Sequence, residues 1–243
     1  MLSLLPRLLL LSALAVPMFA QQGAAPTAMS QALHDGAPTY PWEWGAQVQV
    51  GNGVTDNRSG FHFLTLGVHA GKTLTPVLGS GLLRGSFEYA VEVLPLWQAY
   101  SPTFQRVRCS QTGTAPIACS APYTVGGTFT GASVTPIILR WNLAGNRRLS
   151  PYAQAAGGLV WTNHKFPAYG NTDANLQANG PNGETSVFNF TPQGGVGVHY
   201  FVRPRRSIDF LAIGEHISSS SLGDRNPGVN ASIQFSVGYT WWK

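Results

Sequence analysis

The sequence predicts an all-β protein, an eight-stranded antiparallel transmembrane β-barrel. Three observations predict it. Polar and apolar residues alternate with period two in about eight separate segments. The links between those segments sort into long and short ones. Charged residues make up only 10% of the 243 residues, and aromatic residues 11%. Soluble domains carry about 25% charged residues. Beyond the leader no apolar run is long enough for a membrane helix, so any membrane crossing must be made by strands.

The first twenty residues read as a secretory signal outside the fold. Arg7 is the early charge, Leu8 to Val16 forms the apolar run, and Ala20–Gln21 is the expected cleavage point. That run is too short to span a bilayer as a helix. Residues 21–40 are rich in Ala, Gly, Pro and Gln and are expected to form a flexible lead-in, leaving 41–243 for the barrel.

The first strand is expected over Trp42 to Gly51, with Trp42, Trp44, Ala46, Val48 and Val50 on one face and Glu43, Gln47 and Gln49 on the other. The second, Gly60 to Lys72, alternates poorly and puts His62 and His69 on opposite faces. In the third, Leu82 to Gln98, Phe87, Tyr89, Val91 and Val93 oppose Arg84, Glu88 and Glu92. The fourth, Gly131 to Leu143, sets Arg140 and Asn142 against Ile137, Leu139 and Trp141. The fifth covers Ser150 to Thr162, the sixth Val187 to Val202, the seventh Ser207 to Ser218 and the eighth Val229 to Trp242.

Long links are expected at Ala99 to Gly126 and Asn163 to Ser186, and short ones at Ala144 to Leu149 and Arg203 to Arg206. Membrane barrels place long loops outside the cell and short turns in the periplasm, so both termini fall on the periplasmic side. The short turns hold Arg147, Arg148, Arg203, Arg205 and Arg206. A soluble β-sandwich also has many strands, but the loop sorting, the low charge and the ending Tyr239, Trp241, Trp242 favour the membrane. An eight-stranded interior is filled by side chains, so Arg84, Glu88, Glu92 and Arg140 are expected to form a buried network that closes the barrel. The formal charge of +5 is compatible with an acidic partner such as a phosphorylated lipid.

Cys109 and Cys119 lie in a stretch rich in Ser, Thr, Gln and Pro. In an exported protein this close pair fits a loop disulfide, with two unpaired thiols as the alternative. No cluster has metal-ligand spacing, no Gly-rich segment has the context of a phosphate loop, and no basic stripe suggests nucleic acid.

One constellation can carry chemistry. His216 and Ser218 end the seventh strand two residues apart and therefore share a face. Their Cα atoms are expected about 6.5–7 Å apart, within reach of a hydroxyl–imidazole hydrogen bond. A serine needs such a base to act as a nucleophile. Ile208, Phe210, Ala212 and Gly214 share this face, while Ser207, Asp209 and Glu215 take the other. The pair thus continues an apolar, lipid-facing row toward the extracellular end, where a rim histidine without catalysis is the bland alternative. His34, His62, His69, His164 and His199 have no serine or cysteine arranged as a nucleophile.

Glu215-His216-Ile217-Ser218, followed by Asp224 to Asn230, resembles the C-terminal signature of the PagL-type lipid A 3-O-deacylases, the acyloxyacyl hydrolase-like outer-membrane proteins. Phe87 to Leu96, Arg140-Trp141-Asn142, Pro151-Tyr152 and Phe188 to Thr191 resemble other strands of that family. The resemblance implies an outer-membrane esterase that removes the 3-O-linked acyl chain from lipid A of lipopolysaccharide without a cofactor or metal. It assigns His216 as general base and Ser218 as nucleophile, and aligns Asn230 with the third, histidine-orienting position. Ser219 stands where the family carries Asn, and Asn230 where several members carry Glu. The alternative is a catalytically degenerate barrel of the same shape with a structural or surface-binding role.

Overall fold

The structure is a computed structural model and describes residues 41–55, 58–107, 109–110, 114, 116, 118–144, 148–166, 186–219 and 231–243. The expected signal and lead-in, together with Asp224 and Asn230, lie outside the described residues.

Eight long strands close into an antiparallel barrel. They are β1 (Trp42–Gly53), β2 (His62–Thr73), β3 (Gly85–Arg106), β6 (Tyr123–Leu143), β7 (Leu149–Phe166), β8 (Ser186–Arg203), β9 (Arg206–His216) and β10 (Ala231–Trp242). Two short strands, β4 (Cys109–Ser110) and β5 (Ala118–Cys119), form a separate hairpin. Each long strand pairs with its neighbours in order, and β1 pairs with β10 to complete the ring. Closure gives each of the eight barrel strands a neighbour on both sides.

The ends are unlike. Residues 144–148 and the Pro204–Arg205 turn are short and lie at the end where Trp42 and Lys243 exchange backbone hydrogen bonds of 2.9 and 2.8 Å. Residues 74–84 link β2 to β3 at this same end through a 3-10 turn, Gly81–Leu83. At the opposite end lie the β3–β6 hairpin, the end of β7, the start of β8, the end of β9 and the start of β10.

Side chains alternate as a membrane barrel requires. On β1, Trp44, Val48 and Val50 are exposed while Glu43, Gln47 and Gln49 are buried. Val68, Val93, Ile137, Phe210 and Phe235 extend the exposed apolar belt onto other strands. A surface apolar all round and an interior holding every described carboxylate invert the soluble pattern. Only a hydrocarbon exterior makes that arrangement favourable.

The interior has two parts. Toward the short-loop end, Arg140 Nη1 donates to Glu43 Oε1 and Glu88 Oε1, both at 2.8 Å, and Asn142 Nδ2 donates to Glu88 Oε2 at 2.6 Å. The Arg140 guanidinium lies over the Tyr152 ring. Glu92 accepts hydrogen bonds from Gln47 and Gln49. Asp209 pairs with His199 Nδ1 at 2.8 Å and accepts from Thr240. Toward the long-loop end, Phe61, Phe63, Leu94, Trp97, Phe129, Phe166 and Ile217 pack into an apolar plug.

Several expectations need correction. Arg84 is exposed and precedes β3, so it takes no part in the buried network; the parity breaks at Gly85 and Ser86, both buried. Glu43 supplies the second carboxylate that Arg140 holds. The second strand alternates cleanly in burial, with His62 outside and His69 inside. Its pattern reads poorly in sequence because its inward residues include Phe63, which feeds the apolar plug. The expected long link Ala99 to Gly126 is largely strand, since β3 runs on to Arg106 and β6 begins at Tyr123. The register slips between Ser101 and Phe104, opposite Gly126 at φ 87° and Gly127 at φ 89°. A Cβ on Gly126 would lie 2.1 Å from the Pro102 carbonyl oxygen, so only glycine lets the two chains approach there. Within this extension Cys109 and Cys119 sit opposite each other in the backbone pairing, and Cys119 is disulfide-bonded.

Candidate active site at the rim of the barrel

The candidate pair sits where β9 reaches the long-loop end. Burial alternates along β9, with Ser207, Asp209, Leu211, Ile213 and Glu215 inward and Ile208, Phe210, Ala212, Gly214 and His216 outward. Beyond β9 the same rhythm holds: Ile217 and Ser219 are buried, and Ser218 is half-buried. His216 and Ser218 therefore lie on the outer wall, on one face and two residues apart.

Both flanking strands fix this segment. On the β10 side, His216 pairs with Ala231, and the register from there down to Arg206 runs without a slip. On the β8 side, Gln193 pairs with Glu215, and the backbones of Phe190 and Ser218 exchange hydrogen bonds of 2.7 and 2.9 Å. Between those points Pro192 falls opposite His216 in the same register. Proline has no N–H to give to the ladder, so the regular pairing stops between the two candidate residues and resumes at Ser218.

From inside the barrel, Ile217 pins the pair. Its side chain is 2% exposed and belongs to the apolar plug. Trp97 and Phe129 meet Phe166 edge to face in that plug, at 5.2 and 4.9 Å between centroids. Anchoring the middle residue of His-Ile-Ser in a packed core fixes the main chain from which both candidate side chains project. Sequence reasoning did not single out Ile217 or Pro192. A proline inside a strand pattern was the available signal, since it marks an interrupted ladder.

The outer wall below the pair is apolar and partly hollow. Gly194 and Gly214 pair across β8 and β9, and a Cβ built on either would meet nothing closer than 3.7 Å. Farther down, Val196, Val198, Phe210, Ala212, Phe235 and Val237 line an open groove of about 390 Å³. Phe190, which pairs with Ser218, and Phe188 two residues before it are both exposed. Glu215 points into the barrel, as its parity predicts, and so faces away from His216. Of the expected site residues, the structure brings His216 and Ser218 onto one face; Asn230 lies outside the described residues.

Comparison with known proteins places the chain in a family. Among solved structures, the outer membrane enzyme PagL is 12% identical, with 81% of this chain and 98% of that chain covered and a TM-score of 0.45. The outer membrane protein OprG from Pseudomonas aeruginosa is 9% identical, with 86% and 97% covered and a TM-score of 0.43. The N-terminal β-barrel domain of Pseudomonas aeruginosa OprF is 10% identical, with 82% and 97% covered and a TM-score of 0.38. No curated protein sequence matches the chain. The family model described as lipid A 3-O-deacylase (PagL) matches residues 84–240, a span running from the start of β3 almost to the end of β10 and enclosing His216, Ser218 and Asn230. The chain belongs to the lipid A 3-O-deacylase (PagL) family.

Proposed function

We propose that this protein is an outer-membrane esterase that removes the 3-O-linked acyl chain from lipid A. The observation that carries the proposal is the shared outward face of His216 and Ser218 at the long-loop rim. A lipid embedded in the outer leaflet meets the barrel on that wall, and an ester near its headgroup lies at rim height.

The chemistry divides hydrolysis into two acyl transfers. Ser218 Oγ attacks the ester carbonyl while His216 takes its proton. The tetrahedral intermediate collapses, the C–O bond to the sugar breaks, and His216 returns the proton to the leaving hydroxyl. Water then attacks the acyl-serine with His216 again as base, releasing the fatty acid and restoring Ser218. The apolar groove below the pair suits the acyl chain, because such a chain is stabilised by apolar contact along the wall.

Asn230 aligns with the third position of the family's site. An amide oxygen can accept a hydrogen bond from the imidazole, but it carries no charge to stabilise the imidazolium. Asn230→Glu is therefore expected to raise kcat by roughly tenfold or more if the carboxylate reaches the ring.

Mass spectrometry of lipid A from cells expressing the wild type or Ser218→Ala tests the proposal. The wild type is expected to remove one acyl chain and the variant none. Intact lipid A in both cultures, with the barrel folded in the membrane, would sink the proposal and leave the degenerate barrel as the better account.

A further inference from the structure

The distribution of charge on this barrel is lopsided in two ways. All five described acidic residues, Glu43, Glu88, Glu92, Asp209 and Glu215, are buried inside, each 8% exposed or less. Among the described residues, the outer surface therefore carries cations and no acidic side chain. At the short-loop end, Lys72, Arg84, Arg148, Arg203, Arg205 and Arg206 are all exposed. They come from three different links and from strand ends on both sides of the β1–β10 seam, so they surround the rim. At the long-loop end, Arg58 is buried and Lys165 is exposed. Among the described residues, no acidic side chain stands at the surface.

The same rim carries features of a lipid interface. Trp42 and Trp44 are 53% and 52% exposed, and Trp44 stacks on Trp241 at 4.6 Å. Lys72 Nζ lies over the Trp42 ring at 4.7 Å. The 3-10 turn of the β2–β3 link presents Leu82 and Leu83 at 95% and 74% exposure. The link is not dangling: Leu78 pairs with Gly85, and Trp141 Nε1 donates to the Leu83 carbonyl at 3.2 Å. Two leucines held outward on the barrel wall next to Arg84 make an apolar tip beside a cation. Tryptophan girdles mark where a bilayer's headgroups begin, and cations beside them meet lipid phosphates.

We propose that the short-loop rim is a binding collar for anionic glycerophospholipid. Its cations take the phosphate groups of the adjoining leaflet while Leu82 and Leu83 insert among the acyl chains. The collar is separate from the proposed esterase site, which lies at the other end of the barrel. It gives the protein different lipid preferences in the two leaflets and would hold it at a fixed depth.

Native mass spectrometry of the folded, detergent-released protein tests this with equimolar dioleoyl phosphatidylglycerol and dioleoyl phosphatidylcholine. The wild type is expected to retain phosphatidylglycerol over phosphatidylcholine by roughly fivefold or more, the effect of a single cation near an anionic lipid surface. The combined variant Arg203→Gln, Arg205→Gln, Arg206→Gln is expected to bring the ratio close to one, while Lys165→Gln at the far rim leaves it unchanged. Leu82→Ser with Leu83→Ser is expected to lower retention of both lipids. Heat-modifiable migration on gels reports whether each variant is folded; if the triple variant is not, Lys72→Gln with Arg84→Gln takes its place. Equal retention of the two lipids by the wild type, or a preference that survives the arginine variant, overturns the collar. Displacement of bound phosphatidylglycerol by soluble glycerol phosphate would show a simple anion site and overturn its lipid character.

Discussion

In the half of the barrel nearer the short turns, Arg140 lies between Glu43 and Glu88, and His199, Asp209 and Thr240 form a second polar group. In the half nearer the long loops, Trp97, Phe129 and Phe166 meet edge to face and Ile217 packs among them. The two halves do different work. A buried ion pair gains little net stability over apolar packing, yet it is costly to break one-sidedly, so it penalises any register that separates its partners. Arg140 on β6 reaches Glu88 on β3 and Glu43 on β1, tying together strands far apart in the chain. An aromatic plug instead gives rigidity through packing, and in this protein that rigidity lies directly beneath the candidate site. The Arg140 cluster ties strands together, and the apolar plug backs the His216–Ser218 segment.

The sharpest way to break this comparison is in the polar half. Arg140→Met leaves Glu43 and Glu88 buried without their cation and is expected to cost about 3–5 kcal/mol. Urea unfolding from lipid vesicles measures it. Adding Glu43→Gln and Glu88→Gln should restore much of the loss, and esterase activity per folded molecule should stay at the wild-type level throughout. A cost below about 1 kcal/mol would mean that the network does not hold the strands together.

A smaller loss of stability with a larger loss of function is expected in the apolar half. Ile217→Ala should cost about 2–4 kcal/mol in the same unfolding experiment. If His216 and Ser218 are the working pair, activity per folded molecule should fall roughly tenfold or more, because the main chain between them loses its anchor. Unchanged activity would reduce Ile217 to packing alone. The smallest effect is expected at Thr240→Val, which removes one donor to Asp209 and should cost about 1–2 kcal/mol with no change in activity. An activity loss there would mean that the two halves are coupled.

Much of the fold is legible along the chain. Strand parity in β1, β9 and β10 follows from alternation alone, because a one-residue shift would turn Glu43, Asp209 or Gln234 toward lipid. The face shared by His216 and Ser218 is legible for the same reason. The extended hairpin of β3 and β6 is not. Its Pro, Gly and Ser content imitates a loop, while the bulges that accommodate Pro102 against Gly126 exist only once two strands are paired. Arg84 shows a related limit. Its parity fits an inward position only if β3 starts early, and the 3-10 turn that starts it later depends on the Leu78–Gly85 pairing.

The sequence by itself determined the alternation, the number of strands, the sorting of long and short links, and the His-x-Ser spacing. Each of these is a local consequence of period two and of where the turn residues fall. Tertiary structure decided which charges meet inside, that Ile217 anchors the segment between the two candidate residues, and that Pro192 stands opposite His216. Those relations join residues distant along the chain. They follow from register and closure, which are fixed only when all eight strands pair at once and each inward side chain must find room in a shared interior.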